Sequence, residues 1–414
     1  MIRHTLHAAA ASLILSPCLL GQGALAPSGA PAPTMKTLQQ LWDKMGGLQT
    51  SLDKQSAQLE SQSTQLADQA AMIDLILTAD GHALPWITST VDAASASVGQ
   101  YSSIAYSTAG QPSISYYDSS NGDLKYASFN GTAWTVTTVD STDDVGQYSS
   151  LGFKTDGNPA ICYYDVTHTS LKYAYYDGAA WQTSTVDGSG SVGKYCSFTV
   201  SPAGLPSVSY YDATNTDLKF AKFIGIGWIK STVDNNATDT GLYTSLKFTP
   251  GGEPAIAYLD TTVNYLRYAE YDGASWTKTN VDTTVLGHVS LSFGPTGQPA
   301  IAYANTSYAL RFASYNGSTW ATSTVETTPV GEYISLTYSP SGQPSISCFF
   351  DATDDLYYYA YDGTAWHEEI VETAGNVGTY TSLRYSPQGL PTISYRDATN
   401  GNLKFATKGR FVSQ

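Results

Sequence analysis

Short runs of alternating apolar and polar residues fill most of the chain, and turn-forming residues punctuate them at a nearly constant spacing. One stretch, PSISYYDSSNGDLKYASFNGTAWTVTTVD, runs from Pro112 to Asp140, and near copies follow at Pro159 to Asp187 and Pro206 to Asp234. A closing tryptophan sets the register. Trp86, Trp134, Trp181, Trp228, Trp276, Trp320 and Trp366 lie 48, 47, 47, 48, 44 and 46 residues apart, and Phe411 takes the Trp place 45 residues later. Each unit holds four β runs, in the second unit YSSLGF, PAICYYD, LKYAYYD and WQTSTVD. These runs are rich in β-branched and aromatic residues, which suit a half-buried pleated surface. The connectors are turn formers: P-x-G-x-P or TDGNP, then SSNGD, VTHTS or ATNTD, then D-G-x-x. Seven units of four antiparallel strands, with no helical period between them, predict an all-β fold: a seven-bladed β-propeller of four-stranded blades over residues 86–412. YSSLGF is assigned as the innermost strand and the Trp run as the outermost. Trp86 to Asp92 then has no blade of its own and completes the last blade, which removes an open sheet edge.

A different period precedes the propeller. Leu38, Met45, Leu52, Leu59, Leu66 and Ile73 are spaced by seven, with Leu41, Leu48 and Ile76 on the second seam and Gln55, Gln62 and Gln69 between them. This a/d pattern predicts a coiled-coil helix over residues 35–78 that joins copies into a homo-oligomer. At ~1.5 Å per residue it would be roughly 60 Å long. Gly46-Gly47 marks a defect in it. The alternative is a single amphipathic helix lying on the propeller, although the narrow apolar stripe suits a seam better. Residues 27–34 read as a Pro-rich linker. Residues 1–26 read as a secretory signal, with an apolar AAAASLILSPCLL core and an A-x-A site at Ala24 to Ala26. The expected location is outside the cell, in a periplasm or on a cell surface.

Composition narrows the partners. The chain has 35 acidic against 20 basic residues, a net charge of −15. That field repels nucleic acid and anionic membranes. Beyond Cys18, in the signal segment, Cys162, Cys196 and Cys348 occur at no repeating position and read as buried small apolar residues, with one Cys162–Cys196 bridge as the alternative.

The unit VGQYSSL…ISYYD…LKYA…YDG..W…TVD resembles bacterial secreted propeller repeats of the sialidase-like, Asp-box superfamily. The matching turns are Asn130-Gly131 before Trp134, Asp177-Gly178 before Trp181, Asp272-Gly273 before Trp276, Asn316-Gly317 before Trp320 and Asp362-Gly363 before Trp366. They are a degenerate form of S-x-D-x-G-x-x-W, and they bear on fold rather than activity. The resemblance implies, for catalysis, three arginines around a carboxylate with a Tyr–Glu pair. No such triad can be nominated among Arg267, Arg311, Arg384, Arg396 and Arg410.

Alternate loops of an antiparallel blade share one face. The turns after YYD and after TVD therefore lie together, carrying Asp118, Asp165, Asp212 and Asp260 among others. Tyr101, Tyr148, Tyr195, Tyr243, Tyr333 and Tyr380 start the inner strands near the channel mouth, with His288 in the fifth unit. Aromatic faces stack on sugar C–H groups and carboxylates accept hydroxyl hydrogen bonds, so these residues and Arg396 are the candidate ligand site. Recurring residues also serve the blade itself, Asp as a turn cap and Trp as inter-blade packing. DSSNGD and DATNTD offer oxygens to Ca²⁺ but lack the D-x-D-x-D-G spacing; no other cofactor is implied. Departures from the repeat, namely Arg396, Asn305, Phe350, His168, Glu270 and His367 to Glu369, look scattered over units and faces, so no catalytic residue is assigned. The expectation is a non-enzymatic recognition or adhesion protein, lectin-like and glycan-binding, on an oligomeric stalk. The alternatives are a polysaccharide-active glycosidase or lyase and a structural cell-envelope scaffold.

Overall fold

The computed structural model describes residues 40, 42–55, 58 and 84–409, apart from 237, 238 and 331. The signal segment, the linker, Cys18, Phe411 and most of the heptad positions lie outside the described residues. Residues 42–55 form a helix that runs straight through Gly46-Gly47. Glycine costs a helix roughly 1 kcal/mol per residue without breaking it, and Thr50 Oγ1 bonds back to the Gly46 carbonyl at 2.9 Å. Trp42, Met45, Leu48 and Leu52 of this helix are exposed.

The rest is a seven-bladed β-propeller of four-stranded sheets. Blade I comprises Val98–Tyr106, Pro112–Asp118, Asp123–Phe129 and Trp134–Asp140, from the axis outward. The inner strands of blades II to VII are Val145–Phe153, Val192–Val200, Thr240–Phe248, Val285–Phe293, Ser335–Tyr338 and Val377–Tyr385. Blade VII takes its outer strand, Trp86–Asp92, from the start of the disc; Trp86 pairs with Lys408 and Asp92 with Leu403.

A blade cannot bury both faces alone, so the recurring residues join neighbours. Each Trp meets an aromatic ring on the third strand of the preceding blade edge-on, as in Trp181–Tyr126 at 5.2 Å and Trp134–Phe405 at 5.4 Å. The first Tyr of YYD is fully buried and donates to the acid ending the outer strand of the preceding blade: Tyr116 to Asp92 at 2.5 Å, Tyr163 to Asp140 at 2.6 Å, Tyr210 to Asp187 at 2.7 Å and Tyr258 to Asp234 at 2.7 Å. The basic residue of LKYA adds charge at the same acid: Lys172 lies 2.5 Å from Asp140 and Arg267 3.1 Å from Asp234.

Around the axis, a serine on every inner strand accepts the backbone N–H of the next inner strand. Leu151 N reaches Ser103 at 3.1 Å, Phe198 N Ser150 at 2.9 Å, Leu246 N Ser197 at 2.9 Å and Leu291 N Ser245 at 3.0 Å. Leu336 N reaches Ser290 at 2.9 Å, Leu383 N Ser335 at 3.0 Å, and Ile104 N closes the ring on Ser382 at 3.3 Å.

One further contact between blades is filled by matched pairs. It holds Ser115 with Ser149, Ser209 with Thr244, Ser347 with Thr381 and Ser394 with Ser102, each pair hydrogen-bonded. Ala257 with Val289 and Ala302 with Ile334 fill the same place in two apolar cores. Cys162 and Cys196 fill it between blades II and III as free, buried thiols, so the alternative of a bridge is not realised.

Candidate functional site

The predicted aromatic residues form a closed ring at the channel mouth. Ring centroids are 4.6 Å apart for Tyr101–Tyr148, 4.7 Å for Tyr148–Tyr195, 4.5 Å for Tyr195–Tyr243 and 4.6 Å for Tyr243–His288. His288–Tyr333, Tyr333–Tyr380 and Tyr380–Tyr101 follow at 4.8, 4.3 and 4.7 Å. Burial, then neighbouring tyrosines, push the phenols of Tyr101, Tyr148 and Tyr333 well above their ordinary value. These three phenols are therefore neutral, and they offer hydroxyls that both donate and accept. All six tyrosines have left-handed backbone, with φ between 52° and 67°. Such backbone costs a bulky residue on the order of 1–3 kcal/mol, and it persists where the surroundings enforce it, often at a binding site.

The predicted aspartates do not share that opening. Asp118, Asp165, Asp212 and Asp260 are 0–3% exposed. Asp118 accepts the amides of Ser120 and Asn121, and Asp212 those of Thr214 and Asn215. These carboxylates cap the turns that follow the second strands, and their oxygens are committed to the fold. Arg396 is also tied to the fold. It holds the place of the second Tyr of YYD in blade VII and donates to Ser97 Oγ at 3.0 Å. The D-G-x-x turns are also structural: Asp177 Oδ1 accepts the amides of Ala179 and Ala180 at 2.8 and 2.9 Å.

Between blades IV and V, beside His288, the symmetry fails in a way that opens space. The second Tyr of YYD is Tyr117, Tyr164 and Tyr211 in blades I to III, but Leu259 in blade IV and Ala304 in blade V. The lost rings leave a cavity of about 220 Å³ lined by Tyr243, Leu259, His288, Ala304, Tyr308 and Glu332, among others. The backbone changes there too. Gly146, Gly193 and Gly241 have φ of 114°, 110° and 105°, and a Cβ on any of them would lie 2.7–2.8 Å from the backbone of the leucine facing it. Blade V carries Leu286 in that place, and the left-handed conformation moves on to Gly287 at φ 68°. That move displaces His288 from the tyrosine backbone geometry.

His288 is held neutral. Burial lowers its pKa to about 3, and its buried Nδ1 has no hydrogen-bond partner among the described residues. Partial burial, then Asp351, raises the pKa of Glu332 on the rim. The notch therefore offers an apolar floor, one imidazole nitrogen, one carboxyl and the edge of the phenol ring. His288 was legible in the sequence as a break in the ring. Leu259, Ala304, Tyr308 and Glu332 were not singled out, although the drift YYD, YLD, YAN over successive units signals the space.

No protein-family model and no curated protein matches the chain. Among solved structures it is similar to YCF48 bound to D1 peptide, with 14% identity, a TM-score of 0.54, and coverage of 80% of this chain and 97% of that one. It is similar to a chain of the Mitotic Checkpoint Complex at 14% identity and TM-score 0.54, covering 79% and 92%. The neighbours also include a fucose-specific lectin from Aleuria aurantia at 17% identity and TM-score 0.46, covering 70% and 99%. At these identities the likeness shows the propeller fold, and the lectin match carries no argument about a ligand.

Proposed function

We propose that this chain is a non-enzymatic recognition protein whose propeller binds a glycan in the notch between blades IV and V, beside the aromatic ring. The observation that carries the reading is the coincidence of the symmetry break with the ring. Residues that build blades recur through most units, and in blade VI they change together with their partners, whereas the changes at 259, 286–288 and 304 converge on one opening. Its contents match a saccharide: aromatic rings for C–H faces, and His288, Glu332 and phenol hydroxyls for sugar hydroxyls. Its volume is below the ~300–1,000 Å³ of pockets for drug-sized ligands, which suits a single sugar ring. One weak site per disc gains strength when copies are linked; the heptad pattern over residues 35–78 supports a homo-oligomeric stalk, and the signal-like residues 1–26 support export. The test is a glycan array and cell-wall polysaccharide pulldown with the mature protein, then titration of hits against Ala304→Tyr, which refills the notch. Binding that is lost in Ala304→Tyr while the melting temperature holds supports the reading. No hit at all, or full affinity in Ala304→Tyr, removes it.

A second reading rests on Glu332, which lines the notch and feels the charge of Asp351, as one of the two carboxyls a glycosidase requires. It expects turnover of a polysaccharide that Glu332→Gln abolishes while binding remains.

A further inference from the structure

The channel breaks its symmetry a second time, deeper than the tyrosines. One step beyond the serine ring, the inner strands place Ala105, Gly152, Thr199, Lys247, Ser292, Thr337 and Arg384 at one level. Five of these are small or hydroxylic, and two are cations. Lys247 belongs to blade IV and Arg384 to blade VII, three blades apart on one side and four on the other, so they approach from opposite sides of the axis. A cavity of about 320 Å³ includes both, together with Gly152, Thr199, Ser292 and Thr337, and no carboxylate lines it. Among the described residues neither cation has an ion-pair partner. Arg384 Nη1 is anchored on the Leu383 carbonyl at 2.8 Å, which leaves Nη2 and Nε for a ligand.

Two unpaired cations facing one another in a protein of net charge −15 are a costly arrangement. Burial, then Arg384, lowers the Lys247 pKa to about 7. A bound anion removes both the repulsion and the missing counter-charge. We propose that this level of the channel binds a tetrahedral oxyanion, phosphate or sulfate, held between Lys247 and Arg384 with hydroxyl donors from Thr199, Ser292 and Thr337. Donors arriving from several directions favour a tetrahedral over a planar anion, and an Arg fork with a Lys point charge is the usual pairing for such groups. The group is either a free ion or an ester on a saccharide.

The experiment is isothermal titration calorimetry of the full-length protein with inorganic sulfate and phosphate in buffers of matched ionic strength. Saturable binding at one site per chain is expected, weakened at least tenfold in Lys247→Met and in Arg384→Met and unchanged in Ala304→Tyr. Sulfate affinity should rise as pH falls from 8 to 6 and Lys247 takes its proton, since sulfate keeps its charge over this range and the only other charged group lining the cavity is Arg384. A sulfated saccharide that competes with free sulfate identifies an ester, and binding of the inorganic ions alone identifies a free ion. Absence of saturable binding by the unmutated protein overturns the proposal, whatever the variants do. So does unchanged affinity in both Met variants. Should either fold poorly, Lys247→Arg, which keeps the charge, must retain binding within a few-fold; its loss counts equally against the site.

Discussion

Removing one hydroxyl from a blade junction should cost more than a typical surface change, and by an amount the geometry bounds. Tyr163 is fully buried, and its hydroxyl donates to Asp140 Oδ2 at 2.6 Å. The same carboxylate receives Lys172 Nζ at 2.5 Å and the Thr142 amide at 3.1 Å. Burial alone would raise the Asp140 pKa, but Lys172 and Tyr163 together hold it below the ordinary value. Tyr163→Phe deletes the donor with almost no change in volume. A hydrogen bond to a charged partner contributes ~1.5–3 kcal/mol. Two other donors stay on Asp140, so the loss should fall near the lower end, about 1.5–2 kcal/mol. Asp140→Ala is a harsher change. It strands a buried hydroxyl and leaves Lys172 with Asp165 at 3.9 Å, a loss of about 3–5 kcal/mol as for a broken buried pair. Equilibrium urea unfolding followed by tryptophan fluorescence measures both. In the double variant the costs should fall short of additivity. A Tyr163→Phe cost under ~0.5 kcal/mol, or strict additivity, would refute the account of the junction.

Acid should weaken the same junctions. Asp140 and Asp187 are both held below their usual range against the effect of burial, by Lys172 and Tyr163 and by Tyr210 and Lys230 respectively. Their stabilisation is complete above the unfolded value near 3.8 and is lost as pH falls through the folded value. Unfolding midpoints between pH 6 and 2 should drop less steeply in Asp140→Asn. Ser150→Ala should cost ~1–3 kcal/mol by leaving the Phe198 amide unpaired in the inner ring, read by chemical denaturation. Burial raises the thiols of Cys162, Cys196 and Cys348, so none should react with a thiol reagent at pH 8 until denaturant is added.

How much of this was legible depended on whether a residue acts within its own unit or across the joint. The strand order, the inner position of YSSLGF and the packing role of Trp follow from the repeat, because each copy repeats the same instruction. The acceptor for Tyr163 was not legible, because Asp140 lies in the previous blade and only closure brings them together. Nor was the burial of Asp118 and its equivalents, since a turn-capping Asp and a ligand-facing Asp look alike in a linear pattern. Blade VI shows what the chain does when one partner changes. Cys348 replaces the buried Tyr, Phe350 the capping Asp and Tyr357 the Lys, and the rings of Phe350 and Tyr357 meet at 4.6 Å. Glu326, left without a phenol, turns to the Thr327 and Thr328 amides at 2.6 and 2.7 Å. The polar cluster was exchanged as a whole, as expected when half-satisfied buried groups cost more than none. Scattered as these substitutions look in sequence, they are one event in space, and so are those that open the notch.

The outer strand of blade VII gives the disc a history as well as a shape. Trp86 pairs with Lys408, roughly 320 residues later. At about 5–20 residues per second of synthesis, the first strand of the disc waits roughly 15–65 s for its partner to exist. During that interval six blades can assemble as an open arc with both terminal edges unprotected. Until that pairing forms, both terminal edges of the arc stay open, and Asn402–Lys408 carries the step that closes them.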